Sequence, residues 1–369
     1  MSVEGNTIED GRSSWGNEVT HDLSCPDGVE ALPIGLGGSK LPRMGDRIAD
    51  EERAALLALL DERPAMLGER AGKALWSTIA SEVSLRGSAL AVWHDAHPPA
   101  PPTLALEDDI GSADDSDLHF KAAWKQLVEW EQSTRFDLIT VLDAEYPLAL
   151  RGIHQMPPVL FVKGRLRADE VGVSVVGSRK ATRRGLLVAA HVAEGLAERG
   201  ISVISGLAQG IDAAAHEATL RVGGRPIGVI GTGINRVYPA THRELHRQVA
   251  AAGALVSQFL PDAPPSKQSF PMRNVTMSGL GRASVIVEAG EHSGTRIQAR
   301  VGVEHGRPVI LTDFVANDTN WGQAMRDRPG VYVAGGTAEV MDIIEQVLHE
   351  DDSDGPEVLA PSTGRTNVR

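Results

Sequence analysis

Residues 171–216 read VGVSVVGSRKATRRGLLVAAHVAEGLAERGISVISGLAQGIDAAAH, and this stretch decides the fold class. Its two short apolar runs, Val171–Val176 and Ile201–Ser205, predict buried strands. Each run is followed by a glycine-containing turn and then by a helical pattern, at Thr182–Arg199 and at Ile211–Val222. Parallel strands joined by helices bring both turns to the carboxyl edge of one sheet, where helix N-termini offer N–H groups to phosphates. We therefore expect a phosphate-binding edge.

The same alternation of short apolar strands and helical segments continues downstream as far as residue 348. The further predicted strands are Phe136–Leu142, Pro226–Ile230, Ala254–Ser257, Ala283–Val287, Pro308–Leu311 and Val331–Val333. The further predicted helices are Thr241–Ala252, Met272–Gly281, Thr295–His305 and Gly336–Leu348. Apolar strands that alternate with helices are typical of a parallel sheet covered on both faces. The predicted fold class is α/β, with a doubly wound, mostly parallel sheet over residues 135–348.

A small all-α domain is predicted upstream of this sheet, over residues 46–134. Its predicted helices are Asp50–Leu67, Ala71–Glu82, Ser88–Asp95 and Leu118–Ser133, and its expected core tryptophans are Trp76, Trp93, Trp124 and Trp130. Asp50 is the expected N-cap of the first helix because it precedes an acidic first turn. The acidic stretch Glu107–Asp117 is expected to be a linker. Residues 1–45 are predicted to be disordered, and residues 349–369 to form an acidic, polar tail.

The composition excludes several classes of protein. The chain has 369 residues and one cysteine, Cys25, so neither an internal disulfide framework nor a cysteine-rich zinc site is possible. Its first residues lack the features of a secretory signal, and no apolar run approaches the roughly 18–20 residues that span a membrane. No metal site or cofactor is predicted, since His242 and His246 have no evident third ligand. A Ser-His-Asp site is not predicted either, because the sequence has no GxSxG nucleophile elbow. We expect a cytoplasmic protein with no membrane partner.

The net charge of −13 is unevenly distributed along the chain. Residues 1–150 hold 12 basic and 27 acidic side chains, whereas residues 151–320 hold 20 basic and 13 acidic ones. Residues 321–369 are acidic again, with 4 basic and 9 acidic side chains. The excess of positive charge coincides with the glycine turns, as in a nucleic-acid-binding surface, although arginines scattered over a solvated face are an alternative.

The turn after the first quoted strand carries the candidate phosphate ligands Gly177, Ser178 and Arg179. Gly177 permits a tight turn, Ser178 offers a hydroxyl, and the planar guanidinium of Arg179 suits a phosphate. Lys180 and Arg183 add positive charge near the start of the helix. The turn lacks the other glycines of the dinucleotide fingerprint, which argues against an NAD site. A surface ion pair for Arg179 and an N-cap role for Ser178 are the alternatives.

The second turn, SGLAQGID, supplies Ser205, Gly206 and Gly210 as a second expected cradle for an anion. Asp212 would repel a phosphate, so we expect it to cap the helix or to orient its neighbours. His216 lies four residues further on, where a structural pairing with Asp212 is favoured over a catalytic one.

Later segments bring further candidates to the same edge. Arg273 lies near the start of a helix, Gly231–Gly233 forms another turn, and Ser293-Gly294 forms a turn after the strand that ends near Glu288. Glu288 has three open interpretations: a catalytic group, a ligand for a ribose hydroxyl, or a partner of Arg273.

The order of these motifs resembles the DNA-processing protein A family, also called DprA or Smf, over residues 135–312. The resemblance is carried by GSR at Gly177–Arg179, by SGLAQGIDAAAH at Ser205–His216 and by FPMRN at Phe270–Asn274. It implies an extended Rossmann-like core preceded by a small helical domain. It also implies a homodimer that binds single-stranded DNA and loads the RecA recombinase during natural transformation, without catalytic turnover.

The motifs also give a set of expected DNA- or phosphate-binding residues. These are Gly177, Ser178, Arg179, Lys180, Arg183, Ser205, Gly206, Gly210, Lys267, Phe270, Arg273, Asn274, Ser293 and Gly294, with Asp212, His216 and Glu288 as structural support. DNA held through its backbone requires cationic groups and amide cradles rather than base-reading patterns, which agrees with this set. Aromatic residues make up only 4% of the chain, and Phe270 and Tyr238 are the best-placed stacking platforms.

The chain departs from the family pattern at several places. Val275 stands where the family has a basic residue, which predicts weaker DNA binding. Leu311–Phe314 replaces the family's proline-glycine turn, and the usual glycine-alanine ending is not recognisable near Asn320–Gly322. The C-terminal winged helix of many members is not expected. These departures predict a divergent paralogue with a changed task.

The favoured function is a non-enzymatic mediator that protects incoming single-stranded DNA and loads RecA. One alternative is a nucleotide-binding sensor or a nucleotide-processing enzyme of a related Rossmann-like family, for example in phage defence. The PGGxGTxxE sequence typical of such enzymes is absent. A second alternative is a structural or regulatory partner whose acidic N-terminal region docks a basic protein.

Overall fold

The computed structural model describes residues 44–64, 67, 75–98, 115–133 and 135–353. The disorder predicted for residues 1–45, most of the linker Glu107–Asp117 and most of the tail 349–369 lie outside the described residues. The described ends of these three segments are helical, because residues 44–45, 115–117 and 349–353 each belong to a helix. Three helices therefore extend by two to five residues into the segments predicted to be disordered, a linker and a tail.

The sheet is preceded by α1 (Met44–Glu62), α2 (Trp76–Arg86), α3 (Ala89–Ala96) and α4 (Asp115–Ser133). Asp50 lies inside α1, so the prediction that it caps this helix is wrong. The helix ends at Glu62 rather than at Leu67, because Pro64 disfavours helical geometry at the residue before it. Arg63 accordingly leaves the helix with φ 58°.

The helical region is held together by tryptophans and by one carboxylate. Trp93 is buried, and Trp76, Trp124 and Trp130 pack against the core, as predicted. The carboxylate of Glu52 in α1 accepts hydrogen bonds from the first N–H groups of α3, at 2.6 Å from Ala89 and 3.0 Å from Leu90. A negative charge at a helix N-terminus also complements the helix dipole, so Glu52 fastens α1 to α3.

Nine strands form one sheet in the described part of the chain. They are β1 (Asp137–Thr140), β2 (Val159–Gly164), β3 (Gly172–Gly177), β4 (Ser202–Ser205), β5 (Pro226–Val229), β6 (Ala254–Ser257), β7 (Ala283–Glu288), β8 (Val309–Thr312) and β9 (Val331–Ala334). Their order is β1-β2-β6-β5-β4-β3-β7-β8-β9, with antiparallel pairing at β1–β2 and β2–β6 and parallel pairing elsewhere. The predicted α/β class is confirmed, and β2 is an additional strand.

Helices cover both faces of this sheet. They are α5 (Leu148–Arg151), α6 (Arg183–Glu198), α7 (Ile211–Arg221), α8 (Arg243–Ala252), α9 (Ser269–Leu280), α10 (Thr295–Glu304), α11 (Asp313–Asp318), α12 (Asn320–Met325) and α13 (Thr337–Ser353). Most buried apolar side chains of α6, α7 and α13 belong to one cluster, whereas Met277 and Leu280 of α9 and Ala299 of α10 belong to a second one. Successive strand residues point to opposite faces, so Val175 contacts the first cluster and Val176 the second.

The strand order reverses between β3 and β7. The chain adds β4, β5 and β6 on one side of β3, and later adds β7, β8 and β9 on the other side. In open sheets of this kind, ligands bind in the crevice beyond the carboxyl ends of the strands at such a reversal. The crevice lies here between the turns that follow β3 and β7.

Candidate nucleic-acid interface

The turns after β3, β4 and β7 are joined by backbone hydrogen bonds. The N–H of Ser178 donates to the carbonyl of Glu288 (2.6 Å), and the carbonyl of Ser178 accepts from the N–H of Ile211 (3.2 Å). Gly210 has φ 81°, and a Cβ at this position would overlap the carbonyl oxygen of Ser178. Glycine is therefore required here, and the three turns form one fixed edge.

An open groove of about 820 Å³ runs along this edge. A smaller pocket of about 170 Å³ adjoins it and shares Arg179, Phe270 and Arg273 with it. The predicted residues that line the groove are Gly177, Ser178, Arg179, Lys180, Phe270, Arg273, Asn274, Ser293 and Gly294, and Gly206 lines the smaller pocket. The structure thus brings most of the predicted set together. The exceptions, which line neither cavity, are Arg183, Ser205, Gly210 and Lys267.

A cation and two aromatic rings form a row across the smaller pocket. The guanidinium carbon of Arg179 lies 5.3 Å from the ring centre of Phe270, and the Phe270 and Tyr238 ring centres are 5.5 Å apart. A Cβ at Gly231 would lie 2.7 Å from the Phe270 ring, so this glycine lets the ring approach the end of β5. Tyr238 is exposed and Phe270 is half-buried, and aromatic rings beside an arginine suit nucleobase stacking.

Phe270 reaches this position because α9 begins earlier than predicted, at Ser269 instead of Met272. Pro271 is compatible with the first turn of a helix, because N–H groups there have no partner within the helix. The hydroxyl of Ser269 donates to the carbonyl of Gly231 (2.6 Å) and ties the helix start to the end of β5.

Four predicted cations at this end of the molecule, Arg179, Lys180, Arg183 and Lys267, are exposed. None of them pairs with a carboxylate among the described residues, so the alternative of an ion pair for Arg179 is not observed. Ser178 does not cap α6 either, because Thr182 is the N-cap. The Ser178 hydroxyl instead accepts the N–H of Lys180 (3.1 Å) and holds the turn.

The second turn differs from the predicted anion cradle. Ser205 is fully buried, and its hydroxyl donates to the carbonyl of Val175 in the neighbouring strand (2.6 Å). The N–H groups of Gly206 and Ala208 donate to Oδ2 of Asp212, at 3.2 and 3.4 Å. A carboxylate of the protein therefore occupies the donors that were expected to receive a phosphate. Asp212 orients its neighbours, as one of its two expected roles requires.

Arg273 lies beneath this turn and not at the surface. It is 5% exposed, its Nη1 donates to the carbonyl of Val229 (3.1 Å), and the same nitrogen lies 4.0 Å from Asp212 Oδ2. Burial lowers the pKa of the guanidinium and raises the pKa of the Asp212 carboxyl, while the charge of each group opposes the shift of the other. Gly206 makes room for the guanidinium, which a Cβ would overlap. Arg273 therefore supports the edge from within.

Glu288 caps a helix and does not contact Arg273. Both its carboxylate oxygens accept the N–H of Thr182, at 3.0 and 3.1 Å, and one also accepts the Thr182 hydroxyl (2.7 Å). The interpretation of Glu288 as a partner of Arg273 is therefore wrong. His216 does not pair with Asp212 either. Its ring is buried without a side-chain partner among the described residues, and burial lowers its pKa to about 3.

The far wall of the groove is the turn before α10. The Ser293 hydroxyl accepts the N–H of Thr295 (3.2 Å) and donates to its hydroxyl (2.9 Å), which fixes the turn. Asn274 Nδ2 approaches the carbonyl of Gly294 (3.5 Å) across the groove. Gln209 lines the smaller pocket and His292 the groove, and the sequence motifs did not predict either residue.

The described part of the chain has neither a candidate metal site nor a membrane-spanning helix. It holds no group of three or more His, Cys, Asp or Glu side chains able to bind a metal ion. His242 directs Nδ1 to the carbonyl of Leu207 (2.9 Å). No described helix is both long and apolar enough to cross a bilayer.

Comparison with known proteins agrees with this architecture. The sequence model of DNA recombination-mediator protein A matches residues 137–348. The chain belongs to this family. Protein Smf of Synechocystis is 39% identical over 190 residues, which are 50% of this chain and 48% of that protein. Protein Smf of Escherichia coli is 35% identical over 223 residues, which are 60% of each chain. This chain thus spans about half, or a little more, of the length of these two relatives.

Solved structures of DNA processing protein A (DprA) share the fold of this family member. The X-ray structure of DprA from Streptococcus pneumoniae covers 80% of this chain and 96% of its own, with 26% identity and a TM-score of 0.56. DprA from Helicobacter pylori covers 58% of this chain and 97% of its own, with 22% identity and a TM-score of 0.51, and so supports the fold alone. The extended Rossmann-like class is thereby confirmed.

Proposed function

We propose that this protein binds single-stranded DNA along the carboxyl edge of its sheet. We further propose that it acts in the cytoplasm as a homodimeric recombination mediator, which protects incoming DNA and loads RecA during DNA uptake. The observation that carries the DNA-binding proposal is the row of Arg179, Phe270 and Tyr238. Its family supports the proposal, as does the description of the Helicobacter pylori relative as a protein with a single-stranded DNA binding mode.

In this proposal the cations and the aromatic rings of the row contribute to binding in different ways. Arg179 and its exposed neighbours Lys180 and Arg183 attract the phosphates of the backbone, which makes the affinity dependent on salt. Phe270 and Tyr238 offer aromatic faces to the bases, and stacking tolerates any base. Duplex DNA hides its base faces, so single strands are preferred.

Fluorescence anisotropy of a labelled oligo-dT with wild type and Arg179→Ala tests this function. Arg221→Ala is the matched control, since Arg221 is also exposed but lies at the C-terminal end of α7, away from the edge. We expect salt-sensitive binding that weakens at least tenfold in Arg179→Ala and stays unchanged in the control. Wild type that fails to bind at low salt, or equal affinity in both variants, contradicts the proposal.

The mediator role is tested separately by the rate of RecA filament formation on an oligonucleotide already covered by a single-strand-binding protein. We expect wild type to accelerate this step and Arg179→Ala to do so weakly. Light scattering of the purified protein reports the expected dimer. Normal DNA binding without acceleration of RecA assembly contradicts the loading role but not DNA binding.

We propose a structural role for Glu288, the candidate catalytic residue of the enzymatic alternative. Its carboxylate accepts the backbone N–H and the hydroxyl of Thr182. The proposed function accordingly requires no catalytic group.

A further inference from the structure

A second exposed arginine lies on an aromatic ring at the same edge of the sheet. The guanidinium carbon of Arg184 is 4.0 Å from the ring centre of Phe314, closer than Arg179 is to Phe270. The Arg184 side chain is 70% exposed, and its nearest carboxylate oxygen, on Asp313, lies at the 4.0 Å limit of an ion pair. The pair thus presents a flat, cationic surface to solvent.

The position of this pair follows from the strand order. Arg184 is in the first turn of α6, which follows β3, whereas Phe314 is in α11, which follows β8 directly. Because β7 separates β3 from β8, the pair bridges the edge just beyond β7. It lines a groove of about 550 Å³ that shares the lining residue Gly290 with the larger groove, so the two grooves adjoin.

Neither residue of the pair belongs to the motifs GSR, SGLAQGIDAAAH and FPMRN that carry the family resemblance. Phe314 ends the stretch Leu311–Phe314, which replaces the proline-glycine turn of the family pattern. Here β8 continues without a turn into α11, with Thr312 as the N-cap residue. This short helix holds Phe314 beside α6.

The charges around the pair favour a base over a phosphate. The groove is also lined by the carboxylates of Glu288, Glu291 and Asp318. Glu288 holds Thr182 and Glu291 accepts the N–H of Asn320 (2.8 Å), so neither is directed to a ligand, but their charges repel phosphates. An uncharged, flat nucleobase fits such a site, and the exposed Lys180 and Arg183 remain for the backbone.

We propose that Arg184 and Phe314 form a second nucleobase-stacking platform, which takes a base of the same DNA strand beyond the one at Arg179 and Phe270. This inference rests on the proposed DNA-binding function. It predicts that an oligonucleotide long enough to reach both platforms binds more tightly than a short one. Stacking of one base on an aromatic side chain corresponds to a factor of about 5 to 100 in affinity.

A length series of oligo-dT from about four to about sixteen nucleotides tests this platform, over the range of sites bound by single-strand-binding folds. The test variant is Phe314→Leu, which keeps apolar volume but removes the ring. The matched control is Leu187→Ala, an exposed apolar residue of α6 that lines neither groove. We expect Phe314→Leu to lose about tenfold in affinity for the longest oligonucleotide and nothing for the shortest, and Phe314→Tyr to bind as wild type.

Two further measurements separate stacking from charge. Phe314→Leu leaves the salt dependence unchanged because no phosphate contact is lost, whereas Arg179→Ala makes it shallower. A 2-aminopurine base placed at successive positions of the longest oligonucleotide reports stacking through quenching, and one quenched position is expected to recover its fluorescence in Phe314→Leu. Urea denaturation of each variant confirms that it is folded.

The outcomes distinguish this inference from the proposed function. If wild type binds no oligonucleotide, the DNA-binding function itself is contradicted. If wild type binds but its affinity does not rise with length, or Phe314→Leu equals wild type at every length, the function stands and the second platform is overturned.

Discussion

Asp212 and Arg273 form a buried pair, with Oδ2 and Nη1 4.0 Å apart and each residue 5% exposed. The same carboxylate oxygen accepts the N–H groups of Gly206 and Ala208, so one atom connects α7, α9 and the second turn. A charge taken out of water is tolerated only when it is paired, which makes the two side chains mutually dependent. The shape of the edge that we propose to bind DNA depends on this pair.

Replacement of Asp212 by asparagine is expected to destabilise the protein by about 3 kcal/mol, because Arg273 keeps a buried charge without a counterion. Urea denaturation measures this loss. The double variant Asp212→Asn/Arg273→Met removes both charges and is expected to recover part of the stability. A double variant less stable than Asp212→Asn alone would contradict the role of the pair.

The Gly206→Ala substitution is expected to cost about 2–4 kcal/mol, because the new methyl group overlaps the guanidinium of Arg273 and displaces it. We expect DNA affinity to fall with stability, since the turn must move. Gly294→Ala is the control: Gly294 lines the larger groove next to the smaller pocket that Gly206 lines, but a Cβ there meets no atom within 4 Å. Equal unfolding midpoints for the two variants would show that the Arg273 guanidinium can move aside at little cost, which would contradict this prediction.

The Glu288→Gln variant is expected to lose about 1–2 kcal/mol of stability and to keep most of its DNA affinity, because the carboxylate caps α6 and does not bind the ligand. Glu304→Gln, which removes an exposed carboxylate within α10, serves as the control and is expected to have little effect. Assays for free base released from common nucleotides are expected to be negative for wild type and variant. Release by wild type that is lost in Glu288→Gln would restore the enzymatic alternative.

The free energy of unfolding is expected to rise with pH between about pH 4 and pH 6, and His216 contributes to this rise. Burial lowers its pKa from 6.5 to about 3. Between these values the unfolded chain binds a proton that the folded protein does not, so a lower pH favours unfolding. In His216→Gln the slope is expected to decrease by up to about 1.4 kcal/mol per pH unit. Urea denaturation at several pH values measures this slope. An unchanged slope in His216→Gln would show that groups other than His216 cause the pH dependence.

Much of the fold could be predicted from the alternation of apolar strands and helices, because burial on both faces leaves a clear pattern. The helices that were missed lack such a pattern. α5, α11 and α12 have only four to six residues each, too short to show a helical period. The helix bounds were also affected by local geometry, as at Pro64, which ends α1, and at Pro271, which does not delay the start of α9.

The sequence was sufficient to locate the candidate site, but it did not show what each residue does there. The glycine turns correctly indicate which strand ends meet at the edge, since each turn follows a strand. They do not indicate which donors are already used inside the protein. Ser205 and Arg273 have the chemistry of phosphate ligands, yet one bonds to Val175 and the other lies beneath the turn. Such roles depend on contacts between distant segments.

The Asp212 carboxylate, which accepts the N–H groups of the second turn, has a consequence for the kinetics of the proposed DNA binding. A turn whose donors awaited a phosphate would be free to fluctuate until DNA arrived, and its ordering would oppose association. Here Asp212 holds Gly206 and Ala208 in place before any ligand is present. The protein side of the complex then loses little conformational entropy on binding, and the encounter rate depends mainly on electrostatic attraction and on how readily the strand unstacks.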